Sequence, residues 1–158
     1  MQTIIKQARS VKMLAFVVLC AGLLSFTHKP GGEGFQIFLN NKLVLQHYGA
    51  PDKTVQSLQL DQTNINDQLT IKYHHCGKIG KNRTIMLKDD QNKILKEWHF
   101  ADASDATNAM TCKVKDILEL EKKAGITTIN LYYSSSELPT GRLLAAVTSG
   151  NNKLTMLR

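Results

Sequence analysis

The sequence predicts a mainly β protein, an antiparallel β-sandwich of about eight strands with one short helix near Asp116–Ala124. Short segments in which apolar and polar residues alternate recur along the chain, as expected for strands with one buried face. Turn-forming Asn, Asp and Gly residues separate these segments at close spacing, which favours antiparallel pairing. A partly open barrel is the second architecture that fits this pattern.

The first two strands are predicted to form a hairpin. Phe35–Leu39 and Lys42–His47 alternate with the same period, and Asn40 and Asn41 lie between them. Asparagine tolerates a positive φ, as a tight hairpin turn requires. The remaining predicted strands are Val55–Leu60, Gln68–His75, Arg83–Lys88, Lys93–Phe100, Met110–Val114, Ile126–Tyr133, Arg142–Thr148 and a final short strand or tail at Lys153–Leu157.

One helix is predicted late in the chain. Asp116 and Glu119 have the spacing of a capping box, and Gly125 stands where a left-handed residue ends a helix. Ile117 and Leu118 give it an apolar side. A helix this short must pack against the sheets to be stable.

The first residues predict export. Lys6, Arg9 and Lys12 precede the uncharged apolar run Met13–Phe26, which is the order of a secretory signal peptide. This run is short for a spanning helix, which needs about 20 apolar residues. We expect a signal peptide at residues 1–27 and a secreted or periplasmic product, anchored in a membrane by residues 13–26 only if the leader stays uncleaved.

Residues 35–158 are predicted to form one domain. It follows a polar, glycine-rich lead at residues 28–34. The full chain has 158 residues, 42% of them hydrophobic, which excludes a wholly disordered protein. Loss of the three basic leader residues lowers the formal charge from +7 to +4. A charge of this size serves solubility, and we expect no nucleic acid partner.

Cys76 and Cys112 remain once the leader is removed. In an oxidising compartment such a pair is most often a disulfide. Closing this loop would stabilise the fold by about 3–4 kcal/mol in the chain-entropy model. We therefore predict a disulfide between them, with two buried thiols as the alternative.

The run of His74, His75 and Cys76 suggests a metal site. Imidazole and thiolate are ligands that copper and zinc prefer. Because successive strand residues point to opposite faces, His74 and Cys76 are the ligand candidates, with His99 as a third. A copper- or zinc-binding secreted protein is thus the alternative function. The competing interpretation is that His75 is an inward residue with a hydrogen bond.

The loop after these residues could bind an anion. It carries Lys78, Lys81 and Arg83 together with two glycines, and backbone N–H groups in such a loop attract negative charge. A solvated hairpin loop explains the same residues.

Aromatic residues could line a binding face for a sugar or a peptide. Trp98 shares its side of the strand with Ile94 and Phe100, so we expect all three to point inward. Tyr132 and Tyr133 must face opposite ways, and one of them should be exposed.

No catalytic residue is predicted. The candidates are Cys76, beside a histidine, and a serine of Ser134–Ser136. A nucleophile needs a base within hydrogen-bond reach and a third group to orient that base, and proximity in the sequence establishes neither. The predicted function is an exported β-sandwich module with a binding or structural role, whose partner is a protein or a glycan.

Overall fold

Strands dominate the computed structural model, which describes residues 32–49, 54–104 and 109–150. These residues contain nine strands, one α-helix and one short 3-10 helix, Gln62–Asn64. The helix, α1, is Val114–Ala124. The strands are β1 (Gly34–Leu39), β2 (Lys42–Tyr48), β3 (Ser57–Leu60), β4 (Gln68–His74), β5 (Arg83–Lys88), β6 (Ile94–Phe100), β7 (Met110–Lys113), β8 (Thr128–Ser135) and β9 (Leu138–Ser149).

The strands form two open sheets. The first has four strands in the order β2-β1-β4-β7, and the second has five in the order β3-β9-β8-β5-β6. The mainly β, sandwich-like fold predicted from the sequence is confirmed. Most pairs are antiparallel, but β3 runs parallel to β9 along Ser57–Leu60, which strand spacing alone did not predict.

The core lies between the inner faces of the two sheets. Ile37 and Ile71 from the first sheet and Ile85 and Leu131 from the second are all completely buried. They belong to one continuous apolar cluster, to which α1 adds Ile117 and Leu118. Helix α1 therefore depends for its stability on burying this face against the sandwich.

The predicted β1–β2 hairpin is present. Asn40 and Asn41 take φ values of 47° and 65°, the left-handed conformations that such a tight turn needs. The backbone of Asn40 also donates to the carbonyl of Gln68, 3.0 Å away. The turn is thereby joined to the start of β4.

Helix α1 begins two residues before its predicted start. Lys113 precedes its first residue, and Asp116 lies in its first turn. The capping-box prediction is wrong because the Asp116 carboxylate instead accepts from Lys96 Nζ at 2.8 Å. The predicted end is confirmed, since Gly125 adopts the left-handed conformation with φ 65°.

Two further strand predictions need correction. β9 begins at Leu138 rather than Arg142, because the turn between β8 and β9 is limited to two residues. Ile94 is 48% exposed, since a bulge between Leu87 and Lys88 shifts the pairing of β5 with β6. Trp98 and Phe100 do pack against the core, as expected.

Several predictions fall on residues that are not described. The signal peptide at residues 1–27, most of the lead at residues 28–34 and the final strand at Lys153–Leu157 lie outside the described ranges. Gly34, assigned to the lead, is the first residue of β1. Among the described residues, no helix is long and apolar enough to cross a membrane.

Candidate functional site

Inward-facing side chains of β4 and β8 form a buried polar cluster at one end of the sandwich. Alternation along β4 directs Tyr73 inward and carries on to His75 just beyond its end, while β8 contributes Tyr133 and Ser135. All four are at most 5% exposed. With Glu33, which lies just before β1, they are called the polar cluster below.

His75 is the centre of the polar cluster. Its Nε2 atom is 2.8 Å from the Tyr133 hydroxyl and 3.2 Å from Ser135 Oγ. Two hydroxyl groups thus converge on one ring nitrogen, which favours the tautomer with its proton on Nδ1. The inward, hydrogen-bonded His75 that the sequence offered as an alternative to a metal ligand is confirmed.

Glu33 closes the polar cluster on its outer side. The Tyr73 hydroxyl donates to Glu33 Oε2 at 2.9 Å, and Glu33 Oε1 lies 3.5 Å from His75 Nδ1. Nδ1 makes no hydrogen bond within the described part of the chain, so this contact is electrostatic and long. The Glu33 side chain is 37% exposed and connects the buried network to the surface.

The two tyrosines of the polar cluster stack on each other. Their ring centroids are 4.2 Å apart and their planes differ by 18°. Burial raises the pKa of Tyr73 to about 12, against a smaller opposite effect of the neighbouring Arg142 guanidinium. Burial also raises the pKa of Tyr133. Both hydroxyls therefore keep their protons at neutral pH and can donate.

A cleft of about 320 Å³ opens beside the polar cluster, and we call it the Arg142 cleft. It lies between β1, β2, the first half of β9 and the segment 54–56. Six of its twelve lining residues are charged or polar, and the others are apolar or glycine. The lining residues are Glu33, Phe35, His47, Thr54, Val55, Gln56, Leu138, Thr140, Gly141, Arg142, Leu143 and Leu144.

Arg142 supplies the positive charge of this cleft. It is only 7% exposed, and its guanidinium lies 5.4 Å from the centroid of the Phe35 ring. Its Nη2 atom donates to the carbonyl of Gly49 at 3.3 Å. Among the described residues it forms no ion pair with a carboxylate. A buried cation normally has such a partner.

Ser135, His75 and Glu33 stand in the order of a nucleophile, a base and an orienting acid. Two observations argue against catalysis by this set. Ser135 is only 5% exposed, and Tyr133 shares the ring nitrogen that would serve as the base. The arrangement suits a structural network better than acyl transfer.

The predicted metal ligands are not brought together. His74 alternates with the inward residues Tyr73 and His75 and so faces outward from the first sheet, whereas His99 is exposed on β6 at the edge of the second. The sandwich separates them by more than about 10 Å. In the described ranges, no group of three or more His, Cys, Asp or Glu residues could hold a metal ion.

The predicted disulfide is wrong for this fold, since Cys76 and Cys112 are not bridged. Cys112 pairs with Leu69 in the β4–β7 register. Cys76 lies past the other end of β4, so about 20 Å of strand separates the two cysteines. A disulfide needs Cα atoms closer than about 7 Å. Cys112 faces the core, where burial raises the pKa of its thiol to about 12.

The predicted anion loop binds carboxylates of the protein itself. The backbone N–H of Lys81 donates to Glu137 at 2.9 Å, and that of Asn82 donates to Asp102 at 2.8 Å. Arg83 starts β5 with its side chain turned inward, where Nε and Nη2 donate to the carbonyl of Ala101. Lys78 is exposed. The loop is therefore held in place by its own acidic neighbours.

Sequence reasoning missed Arg142 and Glu33 as site residues. Arg142 stands at the edge of an apolar run, a pattern that predicts only a strand. Glu33 fell within the glycine-rich lead. Neither position has a local pattern that marks it, because the two line one cleft only where the start of β1, in the first sheet, lies near β9, in the second.

Comparison with known proteins gives no family assignment. No protein-family model matches the chain, and no curated protein is significantly similar to it.

Proposed function

We propose that this chain is an exported binding module and that the Arg142 cleft holds a carboxylate group of a protein or glycan partner. Arg142 is the observation that carries the proposal. It is a buried cation on a cleft wall, and the described residues offer it only a ring, a carbonyl and a tyrosine hydroxyl. A guanidinium presents paired donors that match a carboxylate.

The rest of the cleft favours a small polar group with an apolar neighbour. Phe35, Val55 and Leu144 provide apolar contacts, and Glu33 provides acceptor oxygens beside them. A ligand with a hydroxyl or amide close to its carboxylate could donate to Glu33 while its carboxylate meets Arg142. Acidic sugars and acidic peptide side chains both have this chemistry.

Binding without turnover is the form of function that the geometry supports best. Tyr73 of the polar cluster contacts two cleft residues, Glu33 and Arg142, and groups held in place before binding favour affinity. Ser135, the serine that contacts His75, is buried, so a substrate carbonyl could not approach it without a rearrangement of the residues around it.

The test is a titration of the protein with sodium glucuronate and, separately, with N-acetylglutamate amide. Calorimetry or NMR measures the binding in each titration. Arg142→Gln should weaken binding at least tenfold, since it removes the charge and the paired donors. Arg142→Lys should recover only part of the affinity. Lys42→Gln removes an exposed charge from β2 and is the matched control, expected to bind like the native chain.

The two ligands distinguish the two sources of the carboxylate. Tighter binding of the uronate would assign the partner to the glycans, and tighter binding of the amino-acid derivative would assign it to the proteins. Unchanged binding in Arg142→Gln, or equal losses in Lys42→Gln, would refute the cleft as the site.

Export is tested separately, by mass spectrometry of the N-terminus of the product from its own host. The leader pattern predicts a mature chain that begins near His28, recovered outside the cytoplasm. A cytoplasmic product that still carries Met1 would remove the exported half of the proposal and leave the cleft to be judged on its own.

A further inference from the structure

A second cleft lies at the C-terminal end of helix α1. Its volume is about 510 Å³, and we call it the Glu121 cleft. Leu118 and Ile126 form apolar walls, while Gln62, Thr127 and Ser149 supply polar groups. It shares no lining residue with the Arg142 cleft.

Glu121 is the unusual residue of this cleft. It is only 5% exposed, and its Oε1 atom has no hydrogen-bond partner among the described residues. Its carboxylate does accept from the backbone N–H of Ser149, but burial still raises the pKa of the carboxyl group. Buried polar atoms in native proteins are normally paired, so an orphaned carboxylate oxygen calls for an explanation.

The position of Glu121 on the helix is a second reason to expect a positively charged partner. It stands in the last part of α1, and its own carbonyl accepts from the backbone N–H of Gly125 and of Ile126. The C-terminal end of a helix carries partial negative charge and disfavours a carboxylate. A positive group at this place would satisfy both the side chain and the helix end.

The chain does not provide that group from the residues described. Lys122 is the one cation that lines the cleft, and it is exposed and forms no ion pair with Glu121. Adjacent helix positions point about 100° apart, so Lys122 is directed away from its neighbour.

We propose that the Glu121 cleft binds an alkylammonium group, the chemistry of a lysine side chain or of a small aliphatic amine. The ammonium would donate to Glu121 Oε1, and the polar groups of Gln62 and Thr127 can accept its other hydrogens. The methylene chain would lie against Leu118 and Ile126. The charge of this site is opposite to that of the Arg142 cleft. The proposal does not depend on the proposed function of that cleft.

The experiment is an NMR titration that follows the backbone amide of Ser149, because this group donates to Glu121 directly. n-Butylammonium chloride is the probe, and n-butanol is its neutral analogue of nearly the same shape. The Ser149 signal should shift saturably with the ammonium and not with the alcohol.

Two variants show whether Glu121 is responsible. Glu121→Gln should weaken the response at least tenfold, because the amide keeps the shape but loses the charge. Glu119→Gln changes an exposed glutamate of the same helix and should behave like the native chain. A response that persists in Glu121→Gln, or an equal response to butanol, would overturn the proposal.

Further arms identify the source of the amine. A lysine-containing peptide that binds more tightly than butylammonium would point to a partner protein, and the reverse order to a free amine. The chain itself has a lysine, Lys153, three residues after Gly150. If the Ser149 signal responds to added ammonium in Lys153→Ala but not in the native chain, this lysine occupies the site and the proposal of an external ligand fails.

Discussion

The two clefts lie at opposite ends of β9 and use opposite charges. The Arg142 cleft is lined by the first part of the strand, from Leu138 to Leu144, and the Glu121 cleft by Ser149 at its end. One strand therefore positions a buried cation at one end and the amide partner of a buried carboxylate at the other. The comparison shows how differently a protein can support a buried charge.

The difference lies in the surroundings of each charge. Behind Arg142, the hydroxyls of Tyr73 and Tyr133 each reach a partner, Glu33 and His75 respectively. Glu121 has one backbone donor and an oxygen without a partner in the described chain. A connected network stabilises a fold, whereas an isolated buried charge costs stability until a ligand arrives.

The larger change in stability is expected from breaking the polar cluster beside the Arg142 cleft. Tyr133→Phe removes the hydroxyl that contacts His75 Nε2 at 2.8 Å and leaves a buried ring nitrogen with one contact fewer. We expect the free energy of unfolding to fall by about 1–2 kcal/mol. Urea denaturation at pH 7, followed by circular dichroism, measures the change.

Tyr132→Phe is the matched control for this variant. Tyr132 is the preceding residue on β8, faces outward and has Lys88 4.4 Å from its ring centroid. Loss of its hydroxyl should change stability by less than about 0.5 kcal/mol. Equal losses in the two variants would mean that the polar cluster adds nothing specific to stability.

Local signals in the sequence were enough to predict most of the described strands and the end of the helix. The β1–β2 hairpin follows from Asn40 and Asn41, and the end of α1 follows from Gly125, because each depends only on the conformation of a few adjacent residues. Alternation also placed His75 on an inward face. Such features need no knowledge of which strands pair.

The candidate sites depend on pairing between distant strands and were not predictable in this way. Cys112 is opposite Leu69 rather than near Cys76 because β7 pairs with the start of β4. Glu33 meets His75 through the β1–β4 pairing. Likewise, Glu121 has a polar environment only because β9 ends beside α1, so its place in the helical pattern could not reveal it.

A smaller change in stability, of opposite sign, is expected at the Glu121 cleft. Glu121→Gln removes a buried charge from the end of a helix whose dipole disfavours it, and it should raise the free energy of unfolding by about 0.5–1 kcal/mol at pH 7. Glu119→Gln instead loses an exposed contact with Lys115, 3.6 Å long, and should lower it by no more than about 0.5 kcal/mol.

The increase in the free energy of unfolding of Glu121→Gln should depend on pH. Because burial raises the carboxyl pKa in the folded state, the native chain binds this proton more tightly than the unfolded chain does. Its stability therefore falls as pH rises from the ordinary glutamate range through the raised pKa. The two chains should converge at low pH and separate as pH approaches neutrality, which urea denaturation across this range measures. A difference independent of pH, or a loss at pH 7, would show that Glu121 is adequately paired and would erase the contrast between the clefts.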